Sequence, residues 1–464
     1  MRSALLPLLI FLPALASAPM LAQAAEGNAR PNIVLIVADD LGYGDLGCFG
    51  QEKIATPHLD DLASRGMRLT DFYAGSTVCA PSRCVLMTGL HTGHALIRGN
   101  GKDNLRPEDV TMAEVLHSAG YATGMFGKWG LGHEGSTGVP TKQGFDYFYG
   151  YLDQHHAHNY YPTFLMRNEE RVRLKNVVPG AGEWGQGVAS EKMEYSHDLI
   201  MAEALAWLEG VKEKPFFLFL PFTLPHANNE AGNKGMEVPE YGQYADKDWP
   251  EPQKGHAAMI TRMDRDLGTL FAKLKEYGVD ERTLIFFTSD NGPHREGGNN
   301  PDFANSSGPL TGIKRSLTEG GIRVPTIVCW PGVVKPGSES STPGYFADLL
   351  PTFAEIGGAK DIPAGLDGVS LAGTFRGGAE PEERFLYWAF YEGGGARAGR
   401  LGKWKVVQQP INTEPRLYDL SQDIAEKNDL AEKHPEVLAD LIKQMDAAYT
   451  PSNRWKFPEP RRGR

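Results

Sequence analysis

Two apolar runs of strand length end abruptly in carboxylates, and nothing else in the chain constrains its architecture as strongly. Ile33-Val34-Leu35-Ile36-Val37 leads through Ala38 to Asp39-Asp40, and Leu284-Ile285-Phe286-Phe287 leads through Thr288-Ser289 to Asp290-Asn291. A third run, 216–220, continues through Pro221-Phe222-Thr223-Leu224-Pro225 to His226. Continuous rather than alternating apolar residues mean strands buried on both faces, as in a parallel sheet covered by helices. Polar groups at their carboxyl ends then stand where open α/β sheets bind ligands. Helical periodicity over 59–65, 111–119, 197–211 and 257–277 fills the intervals. An α/β fold follows, with a large mixed, mostly parallel sheet flanked by helices.

Between 130 and 190 the chain is rich in Gly, Tyr, His and Asn and has little periodicity, which reads as a long irregular segment covering a site. Near 365–381 the composition shifts to Gly, Pro and charge. Strand-like runs at 385–391, 404–407 and 416–419, then a helix over 435–448, predict a smaller C-terminal antiparallel sheet packed on one helix. Residues 1–24 read as a secretory signal: Arg2, an apolar run over 5–15, and cleavage after Ala24. Pro7 and Pro13 interrupt that run and it is short, which argues against a membrane span. The predicted division is therefore a leader over 1–24, a main domain over 25–375 and a small α+β subdomain over 376–464, in a protein exported to a periplasm or secreted. A net charge of -11 argues against nucleic acid or an anionic membrane as a partner. With only Cys48, Cys79, Cys84 and Cys329, the chain is no disulfide-stapled scaffold.

Asp39, Asp40, Asp290 and Asn291 offer only oxygen ligands, which suits calcium or magnesium rather than zinc. Taken singly, either pair also reads as a turn-former after a strand. Further along, Cys79-Ala80-Pro81-Ser82-Arg83 precedes Leu86-Met87-Thr88-Gly89. Ser82 is expected to cap a helix starting near Arg83, leaving Cys79 in the loop before a helix end that favours anions. Arg83 adds a planar cation suited to tetrahedral oxyanions.

This motif resembles the signature of type I sulfatases, the formylglycine-dependent, arylsulfatase-like branch of the alkaline phosphatase superfamily. The resemblance runs from Pro31 to the C-terminal helix. It implies that a maturation enzyme oxidises Cys79 to formylglycine, whose hydrated aldehyde attacks sulfate esters. It also implies a metal shell of Asp39, Asp40, residue 79, Asp290 and Asn291, with Ca2+ favoured and Mg2+ the alternative. Lys128, in Phe126-Gly127-Lys128-Trp129-Gly130, and Lys314, in Gly312-Ile313-Lys314, match the family's sulfate-binding lysines, and His226 matches the histidine that protonates the leaving oxygen. Glu319 and Arg323 read as structural. Many members carry a histidine where this chain has Gly130, so either His133 or a histidine of the His155-His156-Ala157-His158 cluster replaces it, or the subgroup manages without one.

The aromatic segment 141–162 looks like bacterial enzymes acting on carbohydrate sulfates, which points to sulfated galactose or N-acetylgalactosamine, in a small molecule or a glycan. His133, His155 and His294 are the candidate substrate contacts. Two rival readings remain: a phosphate mono- or diester hydrolase on the same scaffold, and a glycan-binding protein without turnover.

Overall fold

The computed structural model describes residues 30–182 and 184–458. The expected leader and the extreme basic tail lie outside the described residues. Ten strands form one sheet in the order Ser338–Ser340, Met67–Leu69, Ile327–Cys329, Thr283–Ser289, Asn32–Ala38, Phe216–Pro221, Ala122–Lys128, Tyr147–Tyr151, Phe164–Arg167 and Glu170–Arg173. The five central strands, from Thr283–Ser289 to Tyr147–Tyr151, are mutually parallel, and antiparallel pairs occur only toward the edges.

Every residue of Asn32–Ala38 is buried, as its unbroken apolar run requires. Ile33, Leu35 and Val37 point into one core, together with residues of the helices Cys79–Thr88, Met112–Ser118 and Leu349–Gly357. Val34, Ile36 and Ala38 point into the other, beneath the helices Pro57–Arg65, Ser196–Val211 and Glu251–Glu276. Two layers of helices thus cover a sheet whose carboxyl edge carries the polar groups. None of the helices, among the described residues, is long and apolar enough to cross a membrane.

Several boundaries differ from expectation. The helix expected from 257 starts at Glu251, because Pro252 sits in its first turn, where the missing N–H costs nothing. The segment read as irregular contains the strands Tyr147–Tyr151, Phe164–Arg167 and Glu170–Arg173. Most important, the motif helix begins at Cys79 itself, with Val78 as its extended N-cap. Ser82 does not cap it. Its buried hydroxyl instead accepts from the Gly75 N–H at 3.0 Å, tying the helix to the preceding loop.

The C-terminal sheet comprises Leu386–Phe390, Ala396–Leu401, Trp404–Gln408 and Arg416–Asp419, all antiparallel. One face, with Tyr387, Val406 and Leu417, packs on Leu441 and Met445 of the helix Pro435–Ala447. The other, with Trp388 and Phe390, joins the core of the main sheet. Charge is buried at this junction: Lys405, fully inaccessible, donates to Glu319 Oε1 at 2.7 Å and pairs with Glu426. Arg323 holds the other oxygen of Glu319 at 3.0 Å, which agrees with the structural reading of both residues.

Removing one partner of such a group leaves a buried charge unanswered. Lys405→Met is therefore expected to destabilise the fold by about 3–5 kcal/mol. A urea titration checks it; an unchanged midpoint would show that the charge at Glu319 is neutralised without Lys405.

Candidate active site

The carboxyl ends of three central strands deliver the site. Asp39 and Asp40 follow Asn32–Ala38, Asp290 and Asn291 follow Thr283–Ser289, and Lys128 closes Ala122–Lys128. Asp40 takes a left-handed φ of 65°, and its N–H bonds Asp290 Oδ1 at 3.2 Å, so the two acidic turns are locked together. Cys79 enters from the first turn of its helix, with Sγ 3.3 Å from Asp39 Oδ1. The next amide, Ala80 N–H, is answered by Asn100 Oδ1 at 3.2 Å.

Cations interleave these acids. Lys128 Nζ lies 2.6 Å from Asp39 Oδ2, and Lys314 Nζ lies 2.8 Å from Asp40 Oδ2. Arg83 spends its guanidinium on Asp290 Oδ2, at 2.8 and 3.1 Å, and on the Lys128 carbonyl at 2.6 Å. The oxyanion contact expected of Arg83 is thereby redirected inward: in this structure it secures Asp290 and the end of the Lys128 strand.

Burial sets the protonation of these groups. It pushes Asp290 up to about 7, reinforced by Asp39 and Asp40 and opposed by Arg83. Burial also acts on Asp39, but Lys128, His226 and Arg83 outweigh it and hold that carboxyl well below its ordinary range. For Cys79, burial and then Asp39 drive the thiol well above its usual value. An unmodified thiol here is a poor nucleophile, because the thiolate is the reactive form.

His226 follows the buried strand Phe216–Pro221, as the sequence implied. Its Nδ1–H donates to the Ala227 carbonyl at 2.7 Å, so Nε2 is the free acceptor, and Lys314 Nζ approaches it at 3.1 Å. Burial, then Lys314, lowers its pKa well below the ordinary imidazole value. The ring stacks on His158 at 4.8 Å between centroids.

The buried acidic cluster is consistent with a divalent metal ion. One ligand atom from each of Asp39, Asp40, Cys79 and His226 lies within 4.8 Å of the others. Asn291 donates Nδ2 to Asp40 Oδ1 at 2.7 Å, while its buried Oδ1 has no hydrogen-bond partner among the described residues. An orphaned, buried carbonyl oxygen beside carboxylates is the kind of group that a metal satisfies.

The family model described as Sulfatase matches residues 31–359, the greater part of the chain and all of this constellation. The chain belongs to the sulfatase family. A second model, N-sulphoglucosamine sulphohydrolase, C-terminal, matches residues 313–450. Arylsulfatase A of Homo sapiens is 34% identical over 90% of this chain and 89% of its own length. N-acetylgalactosamine-6-O-sulfatase of Bacteroides thetaiotaomicron is 30% identical over 97% and 99%. Among solved structures, Ps i-CgsB in complex with k-i-k-neocarrahexaose superposes with a TM-score of 0.77 at 28% identity, covering 93% of this chain and 95% of that one. The protein is thus a sulfatase, an enzyme that hydrolyses sulfate esters.

The sulfatase has a local reason for Gly130. Its φ is +81°, and a Cβ there would fall 2.1 Å from Gln154 Nε2. The amide of Gln154, whose two polar atoms are buried without partners among the described residues, therefore abuts Gly130. His133 and His155 both turn to Asp153, at 3.2 and 3.7 Å, and His156 is buried against Phe164.

Of the expected substrate contacts, His155 is well exposed and His133 lies half-buried beside Trp184. His294 does not fit that role. It is fully buried, with Nε2 donating to the Pro225 carbonyl at 3.2 Å and Nδ1 accepting from the Glu296 N–H at 3.0 Å, so it is a strut beneath the site. Glu296 and Asn100 went unnoticed in the sequence, since neither sits in a pattern that distinguishes it from a solvated loop residue. All four cysteines are free.

Proposed function

We propose that this sulfatase removes sulfate from a carbohydrate, a galactose or N-acetylgalactosamine sulfate, by formylglycine chemistry at residue 79. The observation that carries this reading is the position of Cys79 at a buried helix start against one oxygen of Asp39, whose other oxygen takes Lys128, while Lys314 bridges Asp40 and His226. Formylglycine made from Cys79 by a maturation enzyme supplies a hydroxyl nucleophile where the thiol is inert. Asp39, Asp40, Asp290, Asn291 and residue 79 would hold Ca2+, or Mg2+ in its place, which when bound polarises sulfate oxygens and acidifies the hydroxyl.

The chain's own side chains supply the remainder. Lys128 and Lys314 offer fixed positive charge to the anionic sulfuryl oxygens in a site from which bulk water is excluded. Arg83 keeps Asp290 and Lys128 in register. For His226 to protonate the departing alcohol oxygen, its Nε2 must first take the proton that Lys314 Nζ offers across 3.1 Å; the proton then passes from Nε2 to the alcohol, and Lys314 is left neutral until it is reprotonated.

Support for a sugar comes from the relatives, one an N-acetylgalactosamine-6-O-sulfatase and one crystallised with k-i-k-neocarrahexaose. The leader expected over 1–24 supports a periplasmic or secreted location for the enzyme.

Sulfate release from monosulfated galactose and N-acetylgalactosamine, with an aryl sulfate in parallel, tests the reading. We expect sugar sulfates to be hydrolysed, with activity lost on chelation and restored better by calcium than by magnesium. Turnover of the aryl sulfate alone would remove the carbohydrate assignment.

A further inference from the structure

Lys314 is followed by a residue with a signal of its own. Arg315 sits at φ +73°, in the left-handed region that non-glycine residues seldom occupy. Such backbone strain persists only where the surroundings over-determine it, and it concentrates at ligand clamps. Here the Arg315 N–H donates to the Thr77 carbonyl at 3.0 Å, two residues before Cys79. Its carbonyl accepts from Gln409 Nε2 at 2.8 Å, in the loop after the strand Trp404–Gln408 of the C-terminal sheet. The residue is clamped between the nucleophile loop and the small sheet.

Its side chain is the outward counterpart of Lys314. Glu296 Oε2 takes Lys314 Nζ at 3.1 Å and lies 3.8 Å from His226 Nε2, while Oε1 takes Arg315 NH1 at 2.5 Å. One carboxylate therefore ties a buried cation of the site to a cation whose side chain is 49% exposed. That bond is the only one the guanidinium makes among the described residues, out of five donors in a rigid fork. A polar cleft of about 370 Å3 opens along the same segment, lined by Arg295, Pro301, Asp302, Asn305, Gly312 and Ile313.

We propose that Arg315 recognises a second anionic group on the substrate, a sulfate or a carboxylate on the same or the adjoining sugar, and so selects multiply charged glycans. The inference rests on the carbohydrate reading above and extends it. With a net charge of -11, the protein as a whole repels a polyanion, so an outward cation beside the reacting sulfate has a task to perform. Arginine suits it because its planar fork meets a sulfate or carboxylate with two parallel bonds, which lysine cannot do.

Three substrates decide the matter: a monosulfated hexosamine, the same sugar with a second sulfate, and a monosulfated disaccharide carrying a uronate carboxylate. Wild type, Arg315→Gln and Arg315→Lys are compared by kcat/KM for sulfate release. Arg315→Gln is expected to lower the ratio of doubly to singly charged substrate by about 10-fold, chiefly through KM, with Arg315→Lys recovering only part. Which doubly charged substrate loses its advantage tells sulfate from carboxylate. An unchanged ratio in Arg315→Gln, with or without a lower melting temperature, would reduce Arg315 to a structural residue and overturn the proposal. A wild type that cleaves only aryl sulfates would defeat the carbohydrate reading and this inference with it; cleavage of sugars with an unaltered ratio defeats the inference alone.

Discussion

Cys79→Ala is expected to lose at least about 10⁴-fold in sulfate ester turnover while folding normally. The fold survives because the sulfur holds nothing together that lacks another partner. Asp39 keeps Lys128 at 2.6 Å, and Ala80 N–H keeps Asn100. Losing one buried atom costs on the order of 1 kcal/mol. An aryl sulfate assay beside a thermal melt separates the two effects, and mass spectrometry of the wild-type peptide should show oxygen in place of sulfur at residue 79. Turnover within tenfold of wild type, or an active preparation with an intact thiol, would end the formylglycine assignment.

The second large effect belongs to Lys314→Ala, for which kcat should fall by about 10²–10³. Lys314 is buried, and Asp40, with Glu296, outweighs the effect of burial to hold it firmly protonated in the resting enzyme. The variant nevertheless leaves both acids with partners: Asn291 Nδ2 stays on Asp40 at 2.7 Å and Arg315 on Glu296. Separate kcat and KM values check the prediction. Undiminished sulfate release would place Lys314 outside the site.

The central sheet and its acidic turns were legible because a strand buried on both faces has an unbroken apolar run, and Asn32–Ala38 and Thr283–Ser289 are such strands. Edge strands carry no such mark. Glu170–Arg173 is charged at every position but Val172 and is mostly exposed, so nothing in its composition distinguishes it from a loop. Ala396–Leu401 was hidden by Arg397, Gly399 and Arg400, of which Arg400 is buried only because Asp71 and Tyr73, more than 300 residues earlier, receive it. Local chemistry misled at Ser82, whose hydroxyl found Gly75 through a tertiary contact rather than its own helix end. In the site, residues on motifs were found and those recruited by folding were not: Glu296 and Asn100 reach their places through the packing of separate loops. The inward turn of Arg83 and the burial of His294 likewise depend on neighbours remote in sequence.

The side chain at position 79 is only 3% exposed and lies beneath the edge of a ten-stranded sheet. If its sulfur is exchanged for oxygen, the catalyst that does so must act while the chain is still open, since no second protein reaches that atom afterwards. Maturation and folding then compete for the same nascent polypeptide. Cells that fold it faster than they oxidise it would accumulate a well-packed but inert population, and refolding in vitro would not rescue it.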